Sequence, residues 1–296
     1  MARLPIETGP QHAMSVPYRS MSLAAAAMET SRFTQHPVNA PRYPWKLFWV
    51  LVVACLLGFA AALPYVYALF PGMVASGPLP MPLPVLVTVQ LMQSTIVFGG
   101  IVALGILLAR KAGIEAPILQ GWLYRTGGQF PAGWLRTPLL WGLAIGVTVF
   151  LLYFLVFRPL IPEWPLRQEA ALPVWTRVLI CFYGAINIEL LMRFFLLSLF
   201  LWLLKKITRG ASPRPGAVIF WTANFIVALI YAAGHLPAAK SLMPLTPIVL
   251  AAVLLPTGVF ALAFGYLTWK RGIEAAMLAH FSSDFIAHVI GPMILG

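Results

Sequence analysis

Asn187-Ile188-Glu189-Leu190-Leu191-Met192-Arg193 is the stretch on which the fold of this chain turns. It lies inside an apolar run from about Pro173 to Leu204, so an acid and a base fall where a helix should be crossing a bilayer. A charge at that depth costs roughly 2.5 to 3.5 kcal/mol on insertion scales, and residues that carry one face the bundle interior, find partners and usually mark function. Glu189 and Arg193 stand at i and i+4, on one face of a helix with the acid N-terminal to the base. A structural ion pair that fixes helix register fits these two residues as well as a functional pair does. The other polar residues inside apolar runs have to separate the two.

The composition sets the class. Of 296 residues 60% are hydrophobic and 9% charged, with a mean hydropathy of +0.87, whereas a soluble domain carries about 25% charged residues. The chain is therefore expected to be an all-α, polytopic transmembrane helical bundle. Cys55 and Cys181 both lie in apolar runs and make neither a disulfide framework nor a metal-type spacing. A formal charge of +12 would suit a nucleic-acid partner, but the basic residues flank the apolar runs and no basic run is interleaved with aromatics. They read as topology determinants, with no nucleic acid implied.

Residues 1–44 are rich in Met, Ser, Pro and Ala and show no periodicity, as expected of a disordered cytoplasmic tail. Seven runs long enough to span follow: Trp45–Phe70, Leu83–Ala109, Thr137–Phe157, Pro173–Leu204, Ala217–His235, Pro247–Trp269 and Ile273–Leu295. Basic residues alternate between the two sides, fifteen against four, which predicts a cytoplasmic N-terminus. Pro78 to Pro84 reads as a stiff extended connector. Gly113 to Gly133 reads as an interfacial loop with Trp122 and Tyr124 at headgroup level.

Few strongly polar residues survive in the later runs. The fifth carries Tyr231-Ala232-Ala233-Gly234-His235, and the seventh His280-Phe281-Ser282-Ser283-Asp284 with His288 one turn on. His280, Asp284 and His288 form an i, i+4, i+8 stripe. A lone intramembrane histidine more often hydrogen-bonds across helices than does chemistry, which is the expectation for His288. His280 with Asp284 is different, because Glu189, Arg193 and His235 also need a polar interior. One convergent site satisfies all of them, whereas separate sites would each bear the desolvation penalty alone. Glutamate and histidine can polarise a water, while a second histidine and a hydrogen-bonding side chain stabilise an oxyanion. The same atoms allow a metal: His235, His280 and Asp284 suit a divalent ion such as zinc, although His280-Phe281 lacks the glutamate of an H-E-x-x-H signature. A Ser-His-Asp triad through Ser282 or Ser283 has no favourable helix geometry.

At these residues the chain resembles the CPBP family of intramembrane proteases, which includes CAAX prenyl proteases and bacteriocin-immunity relatives. Ile188-Glu189-Leu190-Leu191-Met192-Arg193 is similar to its Glu-Glu-x-x-x-Arg motif. Tyr231 to His235 is similar to Phe-x-x-x-His, and His280 to Asp284 to His-x-x-x-Asn/Asp. The resemblance runs from about Pro173 to Ile290. It divides the chain into N-terminal transmembrane helices and loops over 45–172 and a CPBP-like core over 173–296. It implies a multi-pass protein, as of a bacterial cytoplasmic membrane, that cleaves hydrophobic or lipidated peptides held in the lipid bilayer. It assigns Glu189 and His235 to activation of a water, His280 and Asp284 to the oxyanion, and Arg193 and Tyr231 to support. An ionised Asp284 would repel an oxyanion, so it must be protonated or act by orienting His280.

The resemblance departs at Ile188, where the family has its first glutamate. Neighbouring helix positions point about 100° apart, so Glu189 takes over that role only through a rotation or a local helix distortion. Two alternatives stay open. One is a catalytically impaired relative that binds a membrane partner. The other is a proton- or ion-coupled transporter, for which Pro256-Thr257-Gly258 would break the sixth helix.

Overall fold

A computed structural model describes residues 43–70, 82–125, 133–161, 166–208 and 215–295. Nearly all of the expected N-terminal tail, most of the Pro78–Pro84 connector and part of the Gly113–Gly133 loop lie outside the described residues. The described elements are helical throughout, with no strand among them.

In chain order they are α1 (Trp45–Leu69), α2 (Leu83–Ala112), α3 (Pro117–Tyr124), α4 (Arg136–Leu152, running into a π-turn over Tyr153–Phe157) and α5 (Leu166–Ala170). The long helix α6 spans Val174–Ile207. After it come α7 (Ala217–Gly234), α8 (Leu236–Leu242), α9 (Pro247–Arg271) and α10 (Ile273–Asp284), then a π-turn over Phe285–Ile290 and α11 (Gly291–Leu295). Proline opens α3 and α9, where a missing N–H costs nothing. Gly113, with φ at 73°, closes α2 in the left-handed conformation.

Among the described residues six helices are long and apolar enough to cross a membrane, the last of them Pro247–Arg271. The seventh run is helical, but Glu274, His280, Ser282, Ser283, Asp284 and His288 load it with polar groups. Its first part is instead buried among its neighbours: α10 packs on α4 and α9, while α7 packs on α9, α1 on α6, and α2 on the middle of α6. The main apolar core gathers Leu51, Val102, Leu197, Phe220 and Val227 from α1, α2, α6 and α7.

Two local features bear on the site. Helix α9 continues unbroken through Pro256, and Thr257 Oγ1 donates to the Val253 carbonyl at 2.6 Å. The expected broken helix is therefore absent, because Pro256 is absorbed within one continuous α9. Between α9 and α10 the chain turns at Gly272, with φ at 89°; a Cβ there would run into the Pro117 ring of α3.

Candidate active site

Helix α6 is wound unusually where its charges sit. Its α-helical ends, Val174–Tyr183 and Ser198–Ile207, enclose two π-helical segments, Gly184–Ile188 and Leu190–Leu197, that abut at Glu189. A π-turn closes through i→i+5 bonds and so turns less per residue than an α-turn; such turns recur at functional sites. Glu189 is fully buried, while Ile188 is half-buried against the apolar core.

The Glu189 carboxylate is shared. Oε1 lies 3.0 Å from Nη1 of Arg193 and accepts from Nδ1 of His280 at 2.6 Å. Arg193 is fully buried; its Nη2 donates to the Ala261 carbonyl at 3.2 Å, and its guanidinium lies over the rings of Tyr231 and Phe264. Phe264 in turn stacks on the His280 imidazole at 4.9 Å. Glu189 therefore fixes the ring of His280 and directs its Nε2 the other way.

That Nε2 faces Oδ2 of Asp284 at 3.4 Å, a looser contact than a normal hydrogen bond. Both groups press against the backbone of α6 at Gly184: a Cβ there would collide with the Asp284 carboxylate and sit 3.1 Å from His280 Nε2. Only glycine lets this helix approach them.

The fifth apolar run joins through Tyr231. Its ring stands edge-on to His280 at 6.3 Å and to His235 at 4.6 Å. His235 lies one turn beyond Tyr231, as Asp284 lies one turn beyond His280. Nδ1 of His235 donates to the Tyr231 carbonyl at 2.9 Å. A carbonyl can only accept, so this nitrogen carries the proton and Nε2 keeps its lone pair.

Glu189, Arg193, Tyr231, His235, His280 and Asp284 thus form one neighbourhood. Ser282 and Ser283 do not join it; each hydroxyl donates to its own helix, at the Leu278 and His280 carbonyls. No group of three or more His, Cys, Asp or Glu among the described residues is arranged to hold a metal ion. Sequence reasoning missed Glu169 and Tyr65, which meet His288 beyond Asp284. It also counted Arg177 among the four basic residues of the side opposite the N-terminus, whereas Arg177 is buried. The one available signal was that Arg177 falls four residues inside the Pro173–Leu204 run.

A family model described as type II CAAX prenyl endopeptidase Rce1-like matches residues 170–286. Over these residues the chain is similar to the type II CAAX prenyl endopeptidases of the CPBP family. The match takes in every residue of the neighbourhood just described and excludes α1 to α4. No curated protein and no solved structure matches the chain. The six membrane-competent helices among the described residues make this a multi-pass integral membrane protein, and the family match supports CAAX-type intramembrane proteolysis as its kind of function.

Proposed function

We propose that the chain is an intramembrane endopeptidase that cleaves hydrophobic or lipidated peptides held in the bilayer. The observation that carries this is the position of His280, clamped by Glu189 on one nitrogen and facing Asp284 with the other. A water beside Nε2 of His235 gives it a proton as the oxygen attacks the peptide carbonyl carbon. The carbonyl electron pair moves onto oxygen, and His280, in its imidazolium form, turns Nε2–H from Asp284 to that oxyanion. The His235 imidazolium then protonates the leaving nitrogen as the C–N bond breaks. Glu189 supports the charge on His280, and Arg193 holds Glu189 in place. Asp284 acts by orienting His280, which agrees with the length of their contact.

A second reading rests on Ile188, which packs against the apolar core where the family has a carboxylate. It makes the chain a binding relative without peptidase activity. Cleavage of a reporter peptide library in membranes separates the two, using the native chain, His235→Ala and Ile188→Glu. The protease reading expects the native chain to cut and His235→Ala to lose about 10²–10⁴-fold. Cleavage by Ile188→Glu alone would establish the binding relative instead.

A further inference from the structure

A second cluster of ionisable groups, which the proposed hydrolysis does not use, lies one turn past Asp284. Oε1 of Glu169 accepts both the Tyr65 hydroxyl at 2.7 Å and Nδ1 of His288 at 2.6 Å. Side chains from α1, α5 and the π-turn after α10 thus meet at one oxygen. The Tyr65 and His288 rings pack edge-to-face at 5.8 Å. Arg177 stands on the same side of α6, one turn before Cys181, whose thiol donates to the Arg177 carbonyl. Asp284 and Glu169 both act electrostatically on Cys181. The Arg177 side chain is 3% exposed, and its Nε and Nη1 have no hydrogen-bond partner. Around His288, then, the facing groups are Tyr65, Glu169 and Asp284, and α4 brings Gly146 and Phe150 beside this turn.

The two clusters join into a single file. Side-chain exposure rises along it from 0% at Glu189 to 3% at His280, 17% at Asp284 and 32% at His288. In a regular α-helix a residue at i+8 drifts about 80° from the starting face. The wider π-turn that begins at Phe285 offsets that drift and returns His288 toward the line of His280 and Asp284. Nδ1–H of His288 donates to Glu169, which leaves Nε2 as the nitrogen that exchanges a proton.

We propose that His288, oriented by Glu169, is the proton-exchange group of the CPBP site, linking the buried His280 to water at the end of the bundle where α4 gives way to α6. His288 takes a proton from water at Nε2, and its imidazolium is stabilised by Glu169. It then passes one proton to the Asp284 carboxylate, directly or through one water. Asp284 delivers it to Nε2 of His280, and the reverse sequence carries a proton out. No bond to carbon changes, and each step moves one proton between named atoms. The route serves the proposed hydrolysis but does not depend on it.

The test is hydrogen exchange at the His280 imidazole, observed by NMR on the full chain in nanodiscs with ¹⁵N-labelled histidine and assigned by loss in His280→Asn. His288→Gly is expected to slow that exchange by at least about tenfold, a modest share of what a positioned acid–base group supplies. Added imidazole should restore it by filling the space left by the ring. Glu169→Gln, which keeps the shape and the Tyr65 contact, should slow it as well. Unchanged exchange in His288→Gly, or slowing that imidazole does not rescue, overturns the proposal. If His288→Gly fails to fold, unchanged exchange in Glu169→Gln overturns it and slowed exchange sustains it. Peptide cleavage is not read, so a chain that cuts nothing can still pass, and an active protease can fail.

Discussion

His280 and Glu189, 91 residues apart in sequence, are joined through Nδ1 and Oε1 at 2.6 Å, and the same oxygen is the ion-pair partner of Arg193. One carboxylate oxygen therefore couples the motif on α6 to the motif on α10. Most consequences that can be measured follow from how tightly that oxygen is shared.

Removing the acid alone leaves the Arg193 charge fully buried. Glu189→Leu is expected to cost about 3–5 kcal/mol, the usual effect of breaking a buried pair from one side. The double variant Glu189→Leu/Arg193→Met removes both charges and should recover a large part of that loss. Unfolding in detergent, arranged as a double-mutant cycle, reads the coupling directly. Purely additive losses would mean the pair is not coupled.

Gly184 is the point where α6 meets the Asp284 carboxylate. Gly184→Ala is expected to cost about 1–3 kcal/mol by overpacking, and to lower cleavage by displacing Asp284 and His280. Gly234→Ala serves as the control, since a Cβ there meets nothing within 4 Å; it should be neutral or stabilise by about 0.5–1 kcal/mol. Equal responses at the two positions would contradict the close approach.

Tyr231 acts through its ring, which lies between Arg193, His235 and His280. Tyr231→Phe keeps the ring and should leave stability within about 0.5 kcal/mol and cleavage nearly intact. Tyr231→Ala empties the centre of the cluster and should cost about 3–5 kcal/mol. Thermal unfolding and cleavage rates on the same preparations check both; a Phe variant as damaged as the Ala variant would assign the role to the hydroxyl.

Glu274 ties α3 to α10. Its Oε1 accepts from the backbone N–H groups of Ile118 and Leu119, at 3.1 and 3.0 Å, in the first turn of α3. Glu274→Ala is expected to cost about 0.5–2 kcal/mol, the range for a lost N-terminal cap, and to open residues 113–125 to limited proteolysis. Protease resistance equal to the native chain would show that the Gly272–Pro117 packing suffices without the cap.

The hydrophobic runs were legible to within a few residues at most ends, because the cost of burying a polar backbone in lipid is a property of each segment. The polar residues of the candidate site were legible for the same reason: Glu189, Arg193, His235, His280 and Asp284 stand out against apolar neighbours. His288 read as a histidine that hydrogen-bonds across helices, and it does so to Glu169. Glu169 itself was hidden, since a glutamate in a connection has no contrast with its surroundings. Tyr65 was hidden too, because a tyrosine near the end of an apolar run looks like an interfacial anchor.

The sequence by itself determined that this is an all-helical membrane protein and which ionisable side chains its interior must accommodate, because both follow from local transfer free energies summed along the chain. Only the tertiary structure decided which atoms meet. The abutting π segments that bury Glu189 beside the half-buried Ile188, the glycine that admits Asp284 to α6, and the single oxygens shared at Glu189 and Glu169 depend on helix rotation and on approach distances. Residues far apart in the chain set those together, and no local sum contains them.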